Sequence, residues 1–249
     1  MRLYDKFKEE MPTNAQLCED AAKEYLGSHN SAYIRNNFSS LIEELNQQVY
    51  KKYLEAQSKM GQQVIEGRIA SGLGNLYEEL DSFYMSVFQS RKSRAGGAFE
   101  FVIQELFARL GYPFSTQVNI EGAKPDFVLP SDEYFRENPL GSIIFTAKRT
   151  LRERWRQVVT EANKGYGFFL ATIDSKVSLN QIQQMAIHKV HMVVPETLLA
   201  EIDHYNQANN VISFENFFKH HLDPAMARWG MKVSEPAPPE YKADQKDLI

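Results

Sequence analysis

Ile143-Ile-Phe-Thr-Ala-Lys148-Arg-Thr-Leu-Arg152-Glu-Arg-Trp-Arg-Gln-Val-Val-Thr-Glu161 is the stretch on which the fold turns. Its apolar start reads as a buried strand, and from about residue 151 to 163 the pattern is that of a helix. A strand-to-helix junction therefore gathers Lys148, Arg149, Arg152, Arg154 and Arg156 with Glu153 and Glu161. Side chains alternate along a strand, so Thr146 and Lys148 share one face. Such a junction holds the groups for both a catalytic site and a surface that reads DNA.

Downstream, apolar runs and helical patterns alternate. Strands are expected at Thr116 to Ile120, Phe127 to Leu129, Ser142 to Ala147, Gly167 to Thr172 and His191 to Val194. Helices are expected at roughly 178 to 187 and 196 to 206, with a short one from Phe214 to His221. This alternation implies an α/β fold with a mixed central sheet flanked by helices. Upstream, residues 13 to 89 carry helical stripes, among them Leu41, Ile42, Leu45, Val49, Tyr53 and Leu54. Gly72 and Gly74 are placed to break the run. Gln89-Ser-Arg-Lys-Ser-Arg94 and Ala95-Gly-Gly97 read as a polar, basic connection before a helix from about 97 to 110 that Gly111 and Pro113 stop. The chain thus divides into a helical N-terminal region at 1–90, an α/β core at 91–232 and a Pro-rich flexible tail at 233–249.

Composition narrows the classes. With 43% apolar and 24% charged residues and no apolar run near the length of a membrane span, a soluble, cytoplasmic protein is expected. Cys18 is the single cysteine, which excludes an intrachain disulfide and a thiolate zinc site within one chain. His188, His191, His220 and His221 lack the partners of a zinc site. The net charge of -4 argues against indiscriminate nucleic-acid binding, yet basic residues concentrate at 91 to 94 and 148 to 156.

Pro125-Asp126 precedes the strand Phe127 to Leu129, and the second strand ends in Thr146-Ala-Lys148. If the two strands are neighbours, Asp126 and Lys148 meet. Phosphodiester hydrolysis uses carboxylates to hold Mg²⁺ and a lysine to orient or deprotonate the attacking water. Pro125-Asp126 with Thr146-Ala-Lys148 resembles the PD-(D/E)XK nuclease motif. One position departs from it: the usual acidic residue two places before the lysine is Thr146. Thirteen residues after Lys148, Glu161 can return a carboxylate to the site from the following helix.

That displacement resembles the EcoRII/SsoII-like branch of type II restriction endonucleases, whose members recognise CC…GG sequences. The resemblance covers roughly residues 89 to 195. It implies a PD-(D/E)XK restriction-endonuclease-like core, a Mg²⁺ cofactor held by Asp126 and Glu161 with Glu100 assisting, and Lys148 at the attacking water. It also implies an Arg152-Glu153-Arg154 reading element and a central-base sensor at Gln89. Arginine pairs bidentately with guanine, and glutamate accepts from cytosine, so the triplet suits two adjacent G·C pairs. Arg91, Lys92, Arg94 and Arg149 are candidates for the DNA backbone.

The expected partners are double-stranded DNA, a second copy of the chain in a homodimer matching a palindrome, and a cognate DNA methyltransferase as a functional counterpart. Relatives that extrude central bases need a stacking platform, for which Phe38, Tyr50 and Tyr53 are candidates. Trp155 is assigned to the core. Rival readings are a structure-specific repair or recombination nuclease and a DNA-binding protein that does not cut.

Overall fold

The structure, a computed structural model, describes residues 2–27, 29–72, 74–120, 122–151 and 167–231. The expected helix at 151 to 163 beyond Leu151, with Arg152, Glu153, Arg154, Trp155 and Glu161, and the tail from 233 lie outside these residues. The chain forms two compact units. Of the described residues, one takes in those up to 27 and 44–102, the other those from 29 to 43 and from 103 to 231.

In the first unit lie α1 (Leu3–Glu10), α2 (Asn14–Leu26) and most of two long helices, α4 (Phe38–Ala70) and α5 (Leu76–Arg109); α3 (Ser31–Asn36) belongs to the second. Thr13 caps α2, accepting from Gln16 N while the Gln16 side chain accepts from Thr13 N, so two otherwise orphaned donors are satisfied. The stripe Leu45, Val49 and Tyr53 is buried as its spacing requires, and Phe7 meets Phe83 edge-on at 5.5 Å. The break between α4 and α5 falls at Gly72, whose φ of +117° suits glycine. Arg68 closes this turn by pairing with Glu79 at 2.6 Å.

The connection expected at 89–97 is instead helix, because α5 runs unbroken through Gln89, Arg94 and Gly97. Glycine in a helix costs only about 1 kcal/mol relative to alanine, which a packed helix tolerates. Gly97 serves a close approach: a Cβ there would meet Asn14 Nδ2 at 2.9 Å. That amide, nearly buried, donates to Arg94 O at 3.1 Å.

The second unit is built on a sheet whose described strands follow chain order: β1 (Ser115–Thr116), β2 (Phe127–Leu129), β3 (Ile143–Ala147), β4 (Gly167–Ala171), β5 (Val190–Val194) and β6 (Val211–Ser213). β1, β2 and β3 pair antiparallel, and β3 to β6 pair parallel. The first strand is shorter than expected because Gln117, at φ +58°, turns the chain out of the sheet. The short β6 has no counterpart among the expected strands.

Parallel strands in chain order need right-handed crossovers, which keep their helices on one face. Ile182 and Met185 of the helix Leu179–Ile187 and Tyr205 pack there against Val128, Ile144, Phe168, Leu170, Val190 and Met192. The opposite face is aromatic. Phe107 lies 5.3 Å from Phe145, Phe169 lies 4.8 Å from Phe217, and Phe38 lies 5.1 Å from Phe214. The expected helix at 214–221 is a composite of Phe214–Phe217, a π-helical turn over Phe218–Leu222 and Asp223–Arg228.

Candidate active site

The antiparallel register Phe127↔Phe145 sets the next residue back, Asp126, beside Thr146. Alternation then aims Thr146 and Lys148 to the same face as Asp126. Lys148 Nζ lies 3.1 and 2.9 Å from the two Asp126 oxygens. Asp126 Oδ2 also accepts Thr146 Oγ1 and Ala147 N, each at 2.7 Å. The lysine side chain is 25% exposed and the aspartate 10%, so the pair sits at the rim of the unit and remains reachable. Lys148 N donates to Ala171 O at 2.9 Å, which fastens the exit of β3 to β4. The site therefore occupies the carboxyl end of β3, where α/β sheets present their ligand crevices.

Thr146 has a role that sequence reasoning missed. It is 1% exposed and aims its hydroxyl at the Asp126 carboxylate. The signal was the polarity of a threonine inside an otherwise apolar strand, and only the neighbouring strand supplies its partner.

Asp126 and Lys148 are the sequence-predicted residues that the described part of this unit brings together. Arg149, two residues past β3, is partly buried. Glu100, Gln89, Arg91, Lys92 and Arg94 all lie on the first unit's part of α5. Gln89 and Lys92 are exposed, with Lys92 over the Phe88 ring at 4.7 Å. Arg91 donates to Gln57 Oε1 at 3.0 Å, and Arg94 donates to Pro12 O at 2.7 Å. Glu100 is partly buried. Of the aromatic candidates, Phe38 and Tyr53 are core residues at 3% and 4% exposure, whereas Tyr50 is exposed.

Asp126 has the hard oxygen donors that Mg²⁺ prefers. Among the described residues its Oδ1 accepts a hydrogen bond only from Lys148, so lone pairs remain for a cation. No group of three or more His, Cys, Asp or Glu side chains that could hold a metal ion stands together among the described residues. The donor chemistry of Asp126 thus fits a hard divalent ion, with further ligands drawn from elsewhere.

Among known proteins, the family model described as EcoRII C terminal matches residues 58–218. The type II restriction enzyme EcoRII of Escherichia coli is 36% identical over 135 residues, which are 52% of this chain and 33% of EcoRII. The type II restriction enzyme SsoII of Shigella sonnei is 31% identical over 146 residues, 54% of this chain and 47% of SsoII. The chain thus spans less than half the length of these two relatives. Metal-depleted Ecl18kI in complex with uncleaved DNA superposes with a TM-score of 0.78 at 25% identity, covering 91% of this chain and 83% of Ecl18kI. The restriction endonuclease PspGI, in a substrate DNA complex, superposes with a TM-score of 0.67 at 20% identity, covering 90% of this chain and 96% of PspGI, a likeness of fold alone.

The mixed sheet flanked by helices is accordingly the PD-(D/E)XK restriction-endonuclease fold, which implies dependence on a divalent metal ion. No described helix is long and apolar enough to cross a membrane. A family match over well more than half the chain, together with the Asp126 and Lys148 pair at the end of β3, establishes that the chain belongs to the EcoRII C-terminal family.

Proposed function

We propose that this chain is a cytoplasmic, homodimeric type II restriction endonuclease. It makes Mg²⁺-dependent double-strand cuts at a short palindromic or pseudo-palindromic site containing CC and GG, of the CCNGG or CCWGG kind. The observation that carries this reading is the Asp126 carboxylate, oriented by Thr146, Ala147 N and Lys148 at the open end of β3. Family membership supports reading that constellation as a nuclease site. That Ecl18kI and PspGI are both solved in complex with DNA supports DNA as the substrate.

Asp126 and Glu161 would hold the ion, with Glu100 assisting. The bound ion supplies charge to polarise the scissile phosphate and to lower the cost of forming hydroxide. Lys148 orients the attacking water and offsets the charge that develops on the phosphate. Thr146 fixes the Asp126 oxygen that it touches, so the carboxylate needs no reorganisation when DNA binds. Arg152, Glu153 and Arg154 read the G·C pairs and Gln89 senses the centre of the site. Arg91, Lys92, Arg94 and Arg149 meet the backbone.

Residues 91–232 form the nuclease core and 1–90 the dimerisation and clamp region. Tyr77, Tyr84, Met85 and Phe88 support that part of the reading. All four are at least half exposed on α5, and spacings of seven and four put Tyr77, Tyr84 and Phe88 on one helix face. A cognate methyltransferase would protect the host's own sites.

Digestion of a plasmid of known sequence with Mg²⁺ present tests the reading. Discrete fragments whose ends share a CC/GG site are expected. Cutting only at forks, ends or mismatches would indicate a structure-specific nuclease instead, and specific binding without cleavage would indicate a regulator.

A further inference from the structure

The main chain between Lys148 and the reading triplet is fastened by the segment that follows β4. Thr172, fully buried, donates its hydroxyl to Arg149 O at 3.3 Å and accepts Asp174 N at 3.1 Å. Asp174 Oδ2 accepts Leu151 N at 2.9 Å, and Oδ1 accepts Lys176 N at 3.0 Å. Together with the bond from Lys148 N to Ala171 O, the backbone of residues 148–151 is held at three points.

This segment is itself anchored from the helical layer. Tyr205, 0% exposed, donates its hydroxyl to Asp174 O at 2.6 Å and accepts Val177 N at 3.0 Å. His204 Nε2 lies 2.8 Å from Val177 O. The chemistry of the bracket needs a carboxylate. Two N–H donors, at Leu151 and Lys176, converge on one side chain, and Leu151 is fully buried, so water is a poor substitute at its N–H. Asparagine would offer one acceptor and turn an NH₂ toward the other donor.

We infer that Asp174 is a positioning residue for sequence discrimination, fixing the main chain at Leu151, directly before Arg152, and so setting the reading triplet relative to Lys148. The inference rests on the reading of Arg152 to Arg154 given above. A displacement of about 1 Å at such a junction is enough to change rates by roughly a hundredfold. Discrimination is more sensitive than overall activity, because a correct and an altered base pair differ only in how well the triplet meets them.

The test compares full-length wild type with Asp174→Asn, Tyr205→Phe and Arg152→Ala. Each is measured for cleavage of a duplex carrying the mapped site and of the same duplex with one G·C pair inverted, alongside the urea midpoint. For Asp174→Asn the ratio of kcat/KM between the two duplexes is expected to fall by roughly tenfold, the worth of one hydrogen bond to a charged group. Tyr205→Phe keeps the ring and removes both hydroxyl bonds, so it should lower the ratio by a smaller factor. It carries the same readout should Asp174→Asn fold poorly. If both variants lower the midpoint but leave the ratio at the wild-type value, the bracket is merely structural and the inference falls. An unchanged ratio in those two with a collapsed ratio in Arg152→Ala overturns the positioning role while the reading triplet stands. An unchanged ratio in all three overturns both.

Discussion

Thr146→Val removes one hydroxyl and leaves the side-chain volume almost unaltered, so it isolates the bond that orients Asp126. The threonine is 1% exposed, and its Oγ1 donates to Asp126 Oδ2 at 2.7 Å. A hydrogen bond to a charged group contributes about 1.5–3 kcal/mol. Because the same oxygen keeps Ala147 N and Lys148 Nζ, the lower part of that range applies, about 1.5–2 kcal/mol. Water is a poor replacement for the lost donor, since the position of the threonine hydroxyl is buried.

Urea unfolding followed by circular dichroism should show that decrease in stability. Cleavage should slow by about tenfold, if a similar free energy is lost from the arrangement of the carboxylate in the transition state. Thr146→Ser supplies the control. It loses a buried methyl group, costing about 1 kcal/mol of stability, but keeps the donor and should cleave at near the wild-type rate. A valine variant as stable and as active as wild type would refute the assignment of Thr146, and so would a serine variant that cleaves as slowly as valine.

Lys148→Ala should abolish cleavage while retaining specific binding of the duplex with Ca²⁺ in place of Mg²⁺, measured by gel shift. Wild-type cleavage by that variant would remove lysine from the mechanism. His191 and His221, with ring centroids 5.5 Å apart, both have pKa values lowered from 6.5, chiefly by burial. The unfolded chain therefore takes up protons first, so stability is full above 6.5 and is lost as pH falls below it. His191→Phe should flatten that loss in urea midpoints measured down to about pH 5. A double Tyr84→Glu, Phe88→Glu variant should sediment as a monomer with its circular dichroism intact; an unchanged dimer would place the interface elsewhere. Gly97→Ala adds a Cβ 2.9 Å from Asn14 Nδ2, and the strain with the lost amide bond should outweigh the helix-propensity gain by about 1 kcal/mol. Asn14→Ala in the same chain should recover part of that loss, as read from the thermal midpoint.

Chain-local patterns made much of this architecture legible. β2, β3, β4 and β5 fall where mainly apolar runs predict them, because a strand buried on both faces needs apolar residues at most successive positions. The stripes of α4 and the glycine break before α5 follow from the same local logic. Where two local signals compete, the pattern misleads. Gly96 and Gly97 read as an interruption, yet a packed helix tolerates them, and at 97 the glycine answers to Asn14, far away in sequence, which needs the space that it leaves. β6 is three residues long, and its pairing with β5 is a property of the sheet rather than of Val211 to Ser213 alone.

By itself, the sequence determined which residue types are available for phosphodiester chemistry and that Asp126 and Lys148 flank two strands able to pair. The Arg152 to Arg154 triplet and Glu161 are likewise sequence readings, lying outside the described structure. Only the tertiary structure decided that β2 and β3 run antiparallel in the register that sets Asp126 against Thr146. It converted Thr146 from a missing carboxylate into a donor, and it placed Asp174 beneath Leu151. The physical reason is that periodicity encodes which face a residue takes, whereas a hydrogen bond between residues twenty or more apart depends on strand register and sheet order, which are set by the packing of the whole unit.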